Sequence, residues 1–487
     1  MIGTGPFLYI GPGGGVTIGA LVVILIGGIV LLAVGLIVWL RLKRFFRGEG
    51  KAKRGAKLLT QVVALLAVLS VFGWMSKHRA KGDRDFGWAN GWVEALSGFP
   101  DLFKQSVEEV QQLPQTYVPT PADFEPLNRL DQDVLTLTVY SNPDEGRHIA
   151  VRNLRNGEEL YRWVLPDSLG PLKPHWRVHH PLLLEDKSVV SFITNRAPMF
   201  RLDSASNVVW RQDSLSFHHA VNRAANGDLW ACVMQWERGG PYIAYRGRYL
   251  MGEKQVNFLD NSVARIDAET GHILEVHSMA EVLRSNGLEH LILRSGDAQD
   301  PMHLNDVQPA LTSSAHFEQG DLFLSFRNLQ CVLQFRPSTG AVVRVIDGPL
   351  AAQHDVDIVN DSTLAIFNNN AQENMGVYTN KGHNYPVSKE QQELAHYHSE
   401  ITLYDLASDT FRPLYRDLMA TEGIMTFSEG LQEALPGGQW FLEEQNSGLL
   451  WVVGPDGVMY RDVHTSHHAG HHHLPNWSRV LPAFPLD

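Results

Sequence analysis

Two long apolar runs open the chain, and a shorter rhythm fills the rest. Residues 16–40 are 25 positions without a charged side chain, and residues 58–75 give 18 more, with Gln61 the one strongly polar interruption. A helix rises about 1.5 Å per residue, so such runs can cross a hydrocarbon core of about 30 Å. They predict two transmembrane helices. From residue 133 onward, short apolar runs alternate with turns rich in Asp, Gly, Asn and Ser, the pattern of β-hairpins. Six such units occupy residues 151–163, 200–211, 263–276, 333–345, 403–415 and 451–461. Their turns start 49 to 69 residues apart. No long amphipathic helix pattern interrupts the series. One four-stranded unit fits each interval, which predicts an all-β, six-bladed β-propeller. A β-sandwich would not account for six similar units.

A second pattern lies between the hairpins: a polar head, a small turn, then a hydrophobic run. The heads are His180, His219 and His354, and ten residues on from each the chain reaches Val190, Leu229 and Leu364 without a gap. His303 fits the same frame with an insertion, and a fifth unit carries Gly430 in place of His. Equivalent positions of propeller blades are related by rotation about one axis. Heads at the start of each innermost strand would therefore converge at one mouth of the central channel.

Charge divides the chain. Residues 1–84 hold 12 Lys/Arg against 2 Asp/Glu, and the remainder holds 29 against 51. The acidic body is a poor match for nucleic acid. The loop 41–57 between the apolar runs carries eight Lys/Arg, whereas the segment after the second run carries four, at Lys77, Arg79, Lys81 and Arg84. The positive-inside rule then puts the loop in the cytoplasm, with both ends of the chain outside. This predicts a two-pass anchor at 1–84 in the inner or plasma membrane, a connector at 85–132 that is extended through its prolines, and an extracytoplasmic propeller at 133–487. Cys232 and Cys331 suit two buried strand residues, and one bridge between them is the alternative. The segment HTSHHAGHHH at 464–473 reads as a partly solvated loop in preference to a metal site, and the final segment can supply a strand that closes the ring.

The stretches FHHAVNRAANGDLW, DPMHLNDVQPAL with LFLSFRNLQCVLQF, and QHDVDIVNDSTLAIFNNN together resemble the arylsulfate sulfotransferase family that does not depend on phosphoadenosine phosphosulfate. The similarity spans roughly residues 175–445. The resemblance implies a six-bladed propeller and ping-pong transfer of a sulfuryl group through a sulfohistidine. It assigns the nucleophile to His354 and supporting roles to His303, Asn305, Arg327 and His219. It places His218 and either Thr426 or Ser428 among substrate contacts, and the shared register of the polar heads adds His180. It implies an aryl sulfate donor, a phenolic acceptor and no cofactor or metal. The membrane anchor departs from the soluble members of the family.

These residue types suit that chemistry. Sulfuryl transfer, like phosphoryl transfer, spreads charge over non-bridging oxygens, so positioning and electrostatics dominate. Arginine offers a planar fork of donors for such oxygens, a neutral imidazole attacks sulfur, and a second one handles the phenol proton. Two other readings of the same residues stand beside it. One is a metal enzyme with His180, His219, His303 and His354 as ligands, as in carotenoid-cleaving oxygenases. The other is a non-catalytic interaction propeller held at the membrane.

Overall fold

The computed structural model describes residues 117–140, 147–169, 177–194, 198–235, 248–251, 254–295, 297, 300–370, 398–426, 428–466 and 469–484, and in the N-terminal part 62, 65–77, 86–89 and 92–93. Residues 114–487 fall in one compact unit and 13–113 in another. The larger unit is an all-β propeller. Five of its sheets are four-stranded antiparallel meanders, and a seven-stranded sheet contains a further run of four consecutive strands.

The innermost strands, labelled in chain order, are β1 (Val178–Leu183), β2 (Ser216–Arg223), β3 (Leu304–Pro309), β4 (His354–Asn360), β5 (Leu431–Ala434) and β6 (Arg479–Leu481). Strand β6 pairs with Leu135–Tyr140, so the end of the chain completes a sheet begun near residue 135, as the final segment predicts. The six expected hairpins are all present as the outer strand pairs.

Burial follows from the stacking of the sheets. Second strands such as Leu322–Phe326 are buried on both faces, which explains their unbroken apolar sequence. Outermost strands such as Thr410–Leu414 reach solvent and lose that continuity. The turns use local side-chain acceptors. Asp267, for example, accepts the backbone N–H groups of Glu269 and Thr270, and Gly271 follows at φ +71°.

Several expectations change. The connector's later part is extended, but it is no free linker: Tyr117–Pro119 pairs with His471–His473, and Leu127–Asn128 pairs with Tyr460 and Arg461. The His-rich segment is mostly a β-hairpin and not a free loop. His464 lies in the strand Gly457–Thr465, and His471–His473 forms its own strand, with His472 and His473 buried. Backbone pairing on both sides, with residues 117–119 and 464–465, fixes it there. Cys232 and Cys331 are free and buried in one apolar cluster.

The first apolar run, 16–40, lies outside the described residues. Of the second, residues 65–75 are helical, the helix continuing to residue 77, with Leu65, Leu66, Val68, Leu69, Val71 and Trp74 exposed. Among the described residues no helix is long and apolar enough to cross a membrane.

Candidate active site

The polar heads share a backbone feature that explains their common register. His180, His219, His303 and Gly430 all have positive φ, at 45°, 50°, 49° and 93°. Strands β1, β2, β3 and β4 each carry a register shift against their neighbour at this level. Such bulges re-aim side chains. In β4 the positive φ falls on Asp355, at 43°, one residue beyond His354. Gly430 is needed for space as well as for φ: a Cβ there would lie 2.6 Å from Cγ2 of Thr426 and 2.7 Å from the Phe367 ring.

His354 begins β4 and is fully buried. Its Nδ1 lies 2.7 Å from Oδ1 of Asn369 and 3.0 Å from the carbonyl of Ala352. Both partners are acceptors, because the Asn369 amide nitrogen donates to the carbonyls of Thr426 and Glu429. Nδ1 therefore carries the proton. Nε2 accepts the N–H of Glu429 at 3.1 Å, so its lone pair faces outward from the ring on that side. Burial, helped by the charge of Arg327, lowers the imidazole pKa to about 3. His354 is thus a neutral imidazole of fixed tautomer at neutral pH.

Around it stand further imidazoles. His219 Nε2 is 3.3 Å from His303 Nε2. The ring of His219 lies 5.5 Å from that of His354, and the His218 ring lies 5.0 Å from that of His303. Nδ1 of His303 is 2.6 Å from Oδ2 of Asp300, and Oδ1 of the same carboxylate accepts the His303 N–H and the Asn261 amide. Burial would raise the Asp300 pKa, but His303 and the neighbouring donors bring it below its usual value. His179 is fully buried, and neither ring nitrogen has a hydrogen-bond partner among the described residues. Burial holds His179, His218 and His219 well below the ordinary imidazole pKa. The Trp477 indole, on the segment leading into β6, packs 5.4 Å from the His219 ring and 6.3 Å from that of His354.

Charged groups frame the cluster. Arg177 holds Glu429 through two contacts, at 2.5 and 2.9 Å. Glu429 itself has a left-handed backbone, at φ 60°. Arg327 follows the Leu322–Phe326 strand, its N–H donating to the His303 carbonyl and Nη1 to Asn328. Asn305 donates to the carbonyl of Gln353 at 2.8 Å and so grips the peptide that leads into His354. Gln353 is in turn anchored on the Phe326 and Cys331 carbonyls.

The remaining sequence-derived residues take other places. Nδ1 of His180 accepts the N–H of Val221, which ties β1 to β2. Thr426 and Ser428 are both tied to Asn446, and the Thr426 carbonyl supports Asn369. Sequence reasoning did not single out His179, Arg177, Asp300, Asn369, Glu429 or Trp477. The His179–His180 and His218–His219 pairs were the available signal, because a bulge decides which member faces the axis.

A second charged layer lies along the inner strands. Arg479 of β6 donates to the Pro181 carbonyl and to Asn222, and it acts on Asp306, Asp355, Asp357 and Glu433. Asp306 accepts the Val356 N–H, and Asp355 accepts the Gln432 N–H, so carboxylates bridge β3 to β4 and β4 to β5. Burial raises these pKa values, to about 7 for Asp306, about 6 for Asp357 and about 8 for Glu433, with repulsion from Asp357 adding to the shifts of Asp306 and Glu433.

No curated protein matches the chain. Among solved structures it is similar to a Bacteroides caccae protein of unknown function, at 10% identity over 67% of this chain and 93% of that one, with a TM-score of 0.41. It is also similar to a catalytically inactive virginiamycin B lyase from Staphylococcus aureus with quinupristin, at 11% identity over 70% and 88%, with a TM-score of 0.35. TolB from Acinetobacter baumannii is a third, at 11% identity over 78% and 69%, with a TM-score of 0.38. The profile of the arylsulfotransferase (ASST) family matches residues 180–463, more than half of the chain and all of the strands β1 to β5 bar two residues of β1. The chain belongs to the arylsulfotransferase family.

Proposed function

We propose that this protein transfers a sulfuryl group from an aryl sulfate to a phenolic acceptor through a sulfohistidine at His354, on a six-bladed propeller anchored to the membrane. The sixth blade in this reading is the four-strand run of the large sheet. The observation that carries the reaction is the state of His354: a buried neutral imidazole whose Nδ1 proton is committed to Asn369. That leaves Nε2 as the nucleophile.

In the first half-reaction the Nε2 lone pair attacks sulfur as the bond from sulfur to the aryl oxygen breaks. The Glu429 N–H, 3.1 Å from Nε2, must give way to substrate. Its φ of 60° marks a backbone position from which movement relieves strain. Arg327 and the free amide hydrogen of Asn305 stabilise the sulfuryl oxygens. The departing phenolate takes a proton from the His219–His303 pair, which enters this step with one proton more than two neutral rings, balanced by the Asp300 carboxylate; their Nε2 atoms face each other at 3.3 Å. Asp300 keeps His303 oriented for this exchange. In the second half-reaction an acceptor phenol returns its proton to that pair while its oxygen attacks sulfur. The nitrogen–sulfur bond breaks and neutral His354 is restored.

Membrane attachment is supported by the exposed apolar side chains along residues 65–77 and by Trp88 and Trp92, which are 87% and 68% exposed. The basic loop 41–57 supports a propeller outside the cytoplasm. The test of the activity is nitrophenol release from 4-nitrophenyl sulfate with and without phenol. Phenol-stimulated release that disappears in His354→Ala supports the reading, and no release by the wild type with a range of phenols rejects it.

A further inference from the structure

We propose that His218, His219 and His303 form a site for one divalent transition-metal ion of the zinc type, and that the bound ion switches sulfuryl transfer off. Each of these residues offers one ring nitrogen, and the three atoms lie within 4.8 Å of one another. The His219 and His303 Nε2 atoms are 3.3 Å apart. Two nitrogens bound to one tetrahedral ion at about 2.0–2.1 Å stand about 3.3–3.4 Å from each other. The pair is therefore spaced as an ion would space it.

The surroundings complete the arrangement. Asp300 holds Nδ1 of His303 at 2.6 Å, so Nε2 is the nitrogen left to face a metal. A carboxylate behind a ligating imidazole fixes its tautomer and strengthens it as a ligand. Nδ1 of His219 has no hydrogen-bond partner among the described residues. Three imidazoles leave one position of a tetrahedron for water or a substrate oxygen. This set differs from the four histidines that sequence register brings together, because His180 is turned onto Val221 and His354 onto Asn369 and Glu429.

Metal occupancy stands independently of the proposed reaction. The inhibitory consequence rests on it, because an ion on both Nε2 atoms removes the proton that they would exchange with the phenol. The test is titration of the full chain, freed of metal by chelator, with cobalt(II), read by its visible absorption. The expected result is saturation at one equivalent, with the intense bands of a tetrahedral nitrogen site and displacement by zinc. His303→Gln and His218→Asn each abolish the bands, Asp300→Asn weakens binding by about 10- to 100-fold, and His354→Ala leaves it unchanged. Zinc at the same stoichiometry suppresses phenol-stimulated nitrophenol release, and chelator restores it. Absence of saturable bands in the wild type overturns the site. So does binding that survives both histidine variants but is lost in His471→Ala, which would put the ion on the C-terminal histidines. If the chain shows no transfer activity, the cobalt titration decides the metal site alone.

Discussion

Oδ1 of Asn369 lies 2.7 Å from Nδ1 of His354, and the Asn369 amide is itself pinned by the carbonyls of Thr426 and Glu429. With the Ala352 carbonyl, this side chain fixes which imidazole nitrogen carries the proton. Removing it frees the tautomer and the ring. Asn369→Leu should lower kcat by about 10- to 100-fold, the worth of one buried hydrogen bond of about 1–3 kcal/mol. KM for 4-nitrophenyl sulfate should change little, and steady-state kinetics on the two proteins checks it.

Arg327 acts on the same ring from a distance, since its charge is the second cause of the low His354 pKa after burial. Arg327→Met should cost about 100- to 1,000-fold in kcat/KM through lost stabilisation of the sulfuryl oxygens. Arg327→Lys should recover part of that, because it restores charge without the planar fork. Loss of the positive charge also raises the His354 pKa, so the acid limb of the pH–rate profile should move to higher pH in the Met variant.

Much of this was legible in the chain before any coordinates. The six hairpins show themselves because tight turns demand Asp, Asn, Ser and Gly, and the four histidine heads show themselves because each stands at the same level, within or just before a bulge. The rest depends on contacts that no local pattern encodes. Asp300 and Glu429 sit in loops whose positions are set by neighbouring strands. At the His179–His180 pair, period-two reasoning chooses one face of the strand. The bulge after His179 then leaves His180 tied to Val221, while His179 faces the cluster. The C-terminal histidines read as solvated because histidine runs are polar, yet pairing with residues 117–119 accompanies the burial of His472 and His473.

The carboxylates around Arg479 make stability depend on pH. Asp306, Asp357 and Glu433 have folded pKa values raised to about 7, about 6 and about 8, well above those of unfolded carboxyls. The folded state then holds protons that the unfolded state has released. Their favourable contribution is present at low pH and is lost as pH rises through the folded values. Above pH of about 6.5 unfolded histidines no longer compete for protons. Tm should therefore fall between about pH 6.5 and 8.5, and Glu433→Gln should flatten that fall. A series of thermal melts across this range settles it.

Gly271 closes the hairpin turn that Asp267 organises, at φ +71°. A Cβ there would lie 2.6 Å from the ring of Trp210, whose indole N–H is held by the Ala268 carbonyl. Gly271→Ala combines backbone strain with overpacking and should destabilise by about 2–4 kcal/mol. Activity per folded molecule should be unchanged. Denaturant midpoints alongside rates at low temperature check both halves.

The proposed membrane anchor makes a separate prediction. The full chain should stay with membranes through alkaline carbonate washing, while a chain lacking residues 1–84 should be released. Fractionation followed by immunoblotting reads the outcome.

The central claim is that His354 Nε2 carries the sulfuryl group between donor and acceptor. Incubation with 4-nitrophenyl sulfate in the absence of any phenol, alkaline quenching and peptide mass spectrometry test it most directly. The account predicts one added sulfuryl group on the peptide containing His354, removed by a chase of phenol and absent from His354→Ala. A sulfuryl group on another residue, or turnover with no protein-bound sulfuryl group under rapid quenching, would contradict it.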